Sequence, residues 1–192
     1  MTNSSILSDA ERMDRHYRYQ RFIYDGTRTH YLIGRRYLIN NLKPNTADTV
    51  LEIGCGTAWN LIRVARLYPY SQIFGLDVSK AMLLTARHSL ERHKLSGLVE
   101  LKQGNANSFD PIKTFGIEKF DRIFFSYALS MIPSWKKALE HAFKMLASGG
   151  EIHIVDFGQC DALPSTFKKL FFHFLEFYTV YPRKDMKSAL EE

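Results

Sequence analysis

Residues 50–58 read Val50-Leu51-Glu52-Ile53-Gly54-Cys55-Gly56-Thr57-Ala58. The first four form a short apolar run with β-branched residues and one acid, the pattern of a buried strand. Gly54 and Gly56 then supply a turn where the backbone can approach a ligand closely, and residues 59–68 carry a helical pattern behind it. A dinucleotide-binding fingerprint of the form G-x-G-x-x-G would need glycine at position 59. That position is Trp59, so the pyrophosphate reading of a nicotinamide-linked dehydrogenase loses its third contact. If the backbone at Ala58 has positive φ, its methyl group costs on the order of 1–2 kcal/mol. At negative φ it is harmless.

Outward from this stretch the chain alternates strand and helix patterns. Strands are expected at 49–53, 73–76, 98–102, 120–125 and 152–155. Helices are expected at 59–68, at 80–94 with Ser79 as N-cap, and at 135–146 with Gly149-Gly150 as the stop signal. A further helix over 29–42 should end at Lys43-Pro44, because the residue before proline is biased out of helix. Strands separated by helices imply right-handed crossovers and a mostly parallel sheet with helices on both faces. The fold expected is therefore a doubly wound, Rossmann-like α/β sandwich in a single domain, 1–192. It would comprise a helical arm (1–44), a ligand-binding core (45–156) and an aromatic helical tail (157–192).

Composition is consistent with this. The 192 residues are 45% hydrophobic and 24% charged, with two cysteines, Cys55 and Cys160. That is globular, and it is not a disulfide-stapled secreted module. No apolar run approaches the roughly 18–20 residues of a bilayer span, and the N-terminus has no signal-peptide core, so a cytoplasmic location is expected. The formal net charge is +6, and residues 1–44 alone carry a net of +4, with Arg12, Arg15, Arg18, Arg21, Arg28, Arg35 and Arg36 along them. Tyr17, Tyr19, Phe22 and Tyr24 are interleaved with these arginines. Such an arm suits nucleic acid, an anionic membrane, an anionic substrate or simply water.

The chemistry-bearing residues follow the strands. Asp77 ends the second strand, nineteen residues after Ala58, where a carboxylate can accept hydrogen bonds from both hydroxyls of a ribose. Val78 and Met82 follow it; they are expected to pack on a nucleobase, with a core role for Met82 equally open. The seven histidines show no metal-ligand spacing, and no Ser-His-Asp or Cys-His set is evident, so no metal site is expected. After the fourth strand comes Phe125-Ser126-Tyr127-Ala128-Leu129-Ser130-Met131-Ile132-Pro133. There Tyr127 either lines an acceptor pocket or joins the core. Phe167, Leu170, Phe171, Phe174, Leu175 and Tyr178 repeat at helical spacing, as a helix packed on the sheet or as an interfacial helix under acyl chains.

The E-x-G-x-G-x-A pattern of Glu52 to Ala58, with Asp77 and then Gly104-Asn105-Ala106, resembles the class I S-adenosylmethionine-dependent methyltransferases. That family usually has a third glycine where this chain has Ala58, and Gly-Asp-Ala where it has Gly-Asn-Ala. The resemblance implies S-adenosylmethionine as cofactor and S-adenosylhomocysteine as product. Gly54, Cys55, Gly56, Thr57 and Ser126 would shape the cofactor site, Glu52 would act near the methionine amino group, and Asn105 and Ala106 would meet the adenine. It also implies a closing β6–β7 hairpin, for which 157–192 has no apolar run left. A five-strand parallel sheet with the fifth strand at an exposed edge is expected, an arrangement open to a homodimer.

The arm from Met13 to Arg28 with Tyr31 to Arg35, the segment Ser126 to Pro133, and Pro182-Arg183 are similar to the bacterial BtaB-type diacylglycerylhomoserine N-methyltransferases of betaine-lipid synthesis. This resemblance implies three methylations of a headgroup amine at the inner membrane surface, with a partner enzyme supplying the lipid. Tyr17, Tyr24 and Tyr127 are the candidates for positioning the amine, and Arg28 or Arg35 for pairing with the substrate carboxylate. Another small amine, a phospholipid headgroup or a quinone precursor is the competing acceptor. A nucleic-acid-binding or regulatory protein on the same fold is the non-enzyme alternative, although no specific nucleic acid partner is expected.

Overall fold

The computed structural model describes Leu32 and residues 34–158, 164–177, 180–183 and 185–186. Tyr17, Tyr24, Arg28, Cys160 and Tyr178 lie outside the described residues, as do the side chains of Phe167, Leu170 and Phe174. The element order is α1 (Arg35–Asn41), β1 (Thr49–Ile53), α2 (Trp59–Leu67), β2 (Gln72–Asp77), α3 (Lys80–Arg92) and β3 (Val99–Gln103), then α4 (Pro111–Phe115), β4 (Phe120–Ser126), α5 (Trp135–Lys144), β5 (Leu146–Val155) and α6 (Ser165–Phe177). The five strands form one parallel sheet in the order β3-β2-β1-β4-β5. The order in which successive strands are added reverses between β1 and β4, and a ligand crevice opens at the carboxyl ends of such a pair.

Side-chain alternation divides the core into two layers. Val50, Ile73, Val99 and Phe124 face α1, α2 and α3 with Ile39, Leu61 and Leu83. Leu51, Ile53, Phe74, Leu76, Ile123 and Phe125 face the other way, onto α4 and α5 with Phe115, Trp135 and Leu139. Glu52 has the parity of Val50, so a carboxylate occupies an apolar layer. Phe74, Phe115 and Phe120 pack edge to face with centroids 5.2–6.2 Å apart, an arrangement worth about 0.5–1.5 kcal/mol per pair beyond burial.

Three expectations about local structure are corrected. The helix expected from residue 29 begins at Arg35: Gly34 has φ 91°, left-handed backbone that cannot continue a helix, and Leu32 is non-helical. The helix expected to reach 146 ends at Lys144, and Gly149-Gly150 does not stop it. Both glycines lie inside β5, which begins at Leu146. Phe120 pairs with Leu146 and Arg122 with Glu151, so residues bulge out of β5 between these pairs, and Gly149 at φ 75° allows the kink. The short helix α4 was not expected. It is set by local signals, an Asp110 N-cap accepting from the Lys113 amide at 3.0 Å, Pro111 at the first position, and Gly116 in left-handed backbone at its end.

Among the described residues of 157–192 there is a helix and no strand, and β5 is an edge of the sheet. No helix of the described residues is long and apolar enough to cross a membrane. Those residues also hold no cluster of metal-ligating side chains.

Candidate cofactor and acceptor site

The glycine loop is fastened to the end of β2. The amides of Gly54 and Cys55 both donate to the Leu76 carbonyl, at 2.8 and 3.0 Å. The Gly56 amide donates to Asp77 Oδ2 at 2.8 Å, and the Ser79 amide to Asp77 Oδ1 at 2.9 Å. These two bonds help fix the plane of the Asp77 carboxylate at the end of β2. Gly54 has φ 79°, and a Cβ there would meet Ala128 Cβ at 2.7 Å, so its smallness serves packing. Gly56, at φ 53°, has nothing within 4 Å of where a Cβ would stand, and this is the open side of the loop. Ala58 does have left-handed backbone, φ 66°. The strain considered from the sequence is therefore present.

Around the loop, Thr57 and Cys55 are buried and Val78 is half-buried. Burial raises the Cys55 thiol well above its ordinary value, aided by Asp77 and Glu52, so it remains a neutral wall. Met82 is buried, its amide capped by the Ser79 hydroxyl at 3.3 Å. Asn105 is exposed, and its Oδ1 accepts from the Asn107 amide at 2.9 Å, an Asx turn that holds the chain beside Ala106.

Glu52 is 1% exposed. Its Oε1 accepts from Asn60 Nδ2 at 2.5 Å, while Oε2 has no hydrogen-bond partner among the described residues. Burial pushes its pKa up from 4.5 to about 8, against the lowering influence of Asn60 and Arg35. Asn60 Oδ1 in turn accepts from Arg35 Nε at 3.0 Å, and the Arg35 guanidinium lies 3.9 Å over the Trp59 ring. Arg35, the sequence candidate for a substrate carboxylate, thus stands beside the start of α2 and also within electrostatic reach of Tyr127. Asn60, in the first turn of α2, went unnoticed in the sequence. Ser126 at the neighbouring strand end also has a buried hydroxyl without a partner among the described residues. Two orphaned polar atoms at the ends of β1 and β4 fit a polar ligand in the crevice.

The second half of the site is built by β4, β5 and α6. Tyr127 (φ 55°) is 7% exposed, and its amide donates to the Val155 carbonyl at 2.7 Å. Its ring lies 4.7 Å from that of Phe157, and Phe171 of α6 continues the row at 6.3 Å. Leu32, Leu175 and Val180 complete this apolar cluster. Asp156 at the end of β5 accepts from the Ser130 and Phe157 amides at 3.0 and 2.8 Å, and burial raises its pKa despite these bonds. Burial and the Asp156 charge push the Tyr127 phenol up to about 12, so it stays protonated. Asp156 was not among the sequence candidates. Arg183 fastens the acceptor side from outside, its Nη2 donating to the Ile132 carbonyl at 2.8 Å. A separate cleft of about 580 Å³, lined by Arg87, Glu91 and Glu100, lies at the opposite end of β2 and β3, away from this chemistry.

A methyltransferase domain model matches residues 44–184. The chain belongs to this family. With the glycine loop, the ribose acid and the adenine segment in place, its cofactor is S-adenosylmethionine. The chain is 28% identical over 156 residues to a demethylmenaquinone methyltransferase of Alkalihalophilus pseudofirmus, covering 80% of this chain and 63% of that protein. It is 32% identical over 108 residues to a phosphatidylethanolamine N-methyltransferase of Cereibacter sphaeroides, covering 56% of this chain and 49% of that one. In fold it matches the Haemonchus contortus phosphoethanolamine N-methyltransferase 2 in complex with S-adenosyl-L-methionine, with TM-score 0.75 and 20% identity over 97% of this chain and 43% of that chain. The chain thus spans about half to two thirds of the curated relatives it matches.

Proposed function

We propose that this methyltransferase domain acts on the amine of a diacylglycerylhomoserine headgroup and adds methyl groups until a trimethylated betaine is formed. The observation that carries this reading is the acceptor wall: two aromatic rings, Tyr127 and Phe157, near the Asp156 carboxylate where β4 and β5 end. Aromatic faces and a carboxylate favour an amine that ends as a permanent cation, whereas a quinone ring would gain nothing from the acid. Phe171 and Leu175 on α6 extend the wall with apolar surface suited to an acyl chain.

When bound, the cofactor supplies an activated methyl group on a sulfonium, and the protein's task is alignment. Asp77 holds the ribose, the loop from Gly54 to Thr57 fixes the approach, and the Tyr127 and Phe157 faces orient the amine. The amine must be neutral to attack. Tyr127 stays protonated near neutral pH and serves as a donor or an aromatic face, so water takes the proton. Arg28 or Arg35 would pair with the substrate carboxylate, with Tyr17 and Tyr24 as further aromatic walls from the arm. The basic arm would hold the domain at the inner face of an anionic membrane, peripheral and cytoplasmic, near an enzyme that supplies the lipid. The exposed β5 edge leaves a homodimer open as the assembled form.

The phosphatidylethanolamine N-methyltransferase relative supports a second reading in which ethanolamine is the headgroup. Both are tested by incubating the protein with labelled S-adenosylmethionine and vesicles containing diacylglycerylhomoserine, phosphatidylethanolamine or demethylmenaquinone, then analysing the lipids by mass spectrometry. Mono-, di- and trimethylated homoserine lipid is the expected product. Methylation confined to phosphatidylethanolamine or to the quinone would replace the reading.

A further inference from the structure

A chain of side chains runs from α1 through α2 into β1, from Arg35 through Asn60 to Glu52. Glu52 is a carboxylate in an apolar layer, with one oxygen tied to Asn60 and the other, Oε2, buried and without a partner among the described residues. A polar atom left in that state calls for a donor or cation from outside the chain. Asn60 acts in both directions, its amide group donating to Glu52 and its carbonyl accepting from Arg35. Trp59 supplies the face on which the guanidinium rests. Arg35 itself is placed by Gly34, where a Cβ would stand 3.0 Å from Val155 Cγ2, so the start of α1 is seated against the end of β5.

Resting on the S-adenosylmethionine-site reading, we propose that Arg35 and Asn60 are positioning residues that hold Glu52 ready to receive the ammonium group of the cofactor's amino-acid end, so that binding of the cofactor expels one proton from Glu52. The groups facing Glu52 are Asn60 on α2, Arg35 on α1, Asp77 at the end of β2 and Cys55 in the loop. Burial and Asp77 favour the protonated carboxyl, while Asn60 and Arg35 favour the anion. An ammonium arriving at Oε2 adds a positive charge to that of Arg35 and tips the group to the anion. The proton goes to solvent and no covalent bond changes. Because Arg35 is the first residue of α1, the state of that helix is coupled to cofactor capture through two hydrogen bonds.

The test is calorimetry of S-adenosylhomocysteine binding to the whole chain, repeated near pH 7 in buffers of different ionisation enthalpy and then across pH 6–9. The wild-type chain is expected to release close to one proton per ligand, with affinity rising about tenfold per pH unit below about pH 8 and levelling above it. Glu52→Gln should release none, bind with a flat pH profile, and bind roughly tenfold or more weakly at high pH. Asn60→Ala and Arg35→Ala should move the break in the profile to higher pH, and Arg35→Lys should move it back. Binding with no proton release, or an unmoved break in both alanine variants, would overturn the inference alone. Failure of the wild-type chain to bind at any pH would overturn the cofactor reading with it.

Discussion

Glu52→Gln keeps the size of the side chain and removes its ability to ionise, so it isolates the cost of holding a carboxylate in the α1–α2 layer. In the folded chain the Glu52 pKa is raised from 4.5 to about 8, chiefly by burial. A folded pKa above the unfolded one means the group favours folding fully below about pH 4.5, and this advantage is lost as pH rises through about 8. At about 1.4 kcal/mol per pH unit, the loss across that window is on the order of 5 kcal/mol, a large part of the roughly 5–15 kcal/mol that holds a domain together. The ligand-free wild-type chain should therefore weaken steadily between pH 5 and pH 8. Glu52→Gln should match it near pH 5 and exceed it by several kcal/mol near pH 8–9. Urea unfolding at pH 5, 7 and 9, read by tryptophan fluorescence and circular dichroism, measures the difference directly. Two stability curves that run parallel over that range would refute the reasoning, because they would mean that Glu52 is solvated or already anionic.

Ala58 gives a second test, in stability alone. Replacing it by glycine relieves left-handed strain of about 1–2 kcal/mol but removes a buried methyl worth about 0.8 kcal/mol and loosens the unfolded chain by about 0.4–1 kcal/mol. The expected change in urea midpoint is near zero, while Ala65→Gly within α2 should cost about 2 kcal/mol, because there no strain is relieved. Asp77→Asn should weaken S-adenosylhomocysteine binding at least tenfold by calorimetry, since hydrogen bonds to a charged acceptor are worth about 1.5–3 kcal/mol. Arg183→Ala frees the carbonyls of the loop after β4, and steady-state kinetics should show a higher KM for the lipid with little change for the cofactor.

The strands were legible because most are β-branched or aromatic runs bounded by turn residues, and β1 to β4 match expectation within about a residue. The misjudged ends have one cause. Gly34 and Gly149-Gly150 were weighed as residues of a helix or after one, whereas the tertiary setting uses Gly34 and Gly149 for left-handed backbone, against β5 and inside it. Gly54, Gly56 and Asp77 were legible as a site because their spacing is imposed by one βαβ unit. Asn60 and Asp156 were not, because neither belongs to a spaced motif. Each matters through a partner brought near by the sheet: Glu52 across the loop for one, Ser130 and Tyr127 across β4 and β5 for the other.

The distribution of strain locates the site without any motif. Non-glycine residues with positive φ among the described ones are Lys43, Ala47, Ala58, Lys94 and Tyr127. Three of these sit in ordinary loops or at a helix end, where a single left-handed residue closes the turn. Ala58 and Tyr127 are different: both are buried, and they follow β1 and β4, the two strands between which the strand order switches. The unpartnered Glu52 and Ser126 oxygens stand on the same two strands. Buried left-handed backbone and unsatisfied polar atoms each lower stability, and they persist together only where the surrounding structure over-determines them. Here the sheet does so through the paired amides on Leu76, the Gly56 amide on Asp77 and the Tyr127 amide on Val155. A bound cofactor would satisfy the orphaned atoms but could not relieve the backbone. Its stabilising effect should therefore appear as a shift in the pH dependence of unfolding, above all as pH rises towards about 8, where Glu52 changes state.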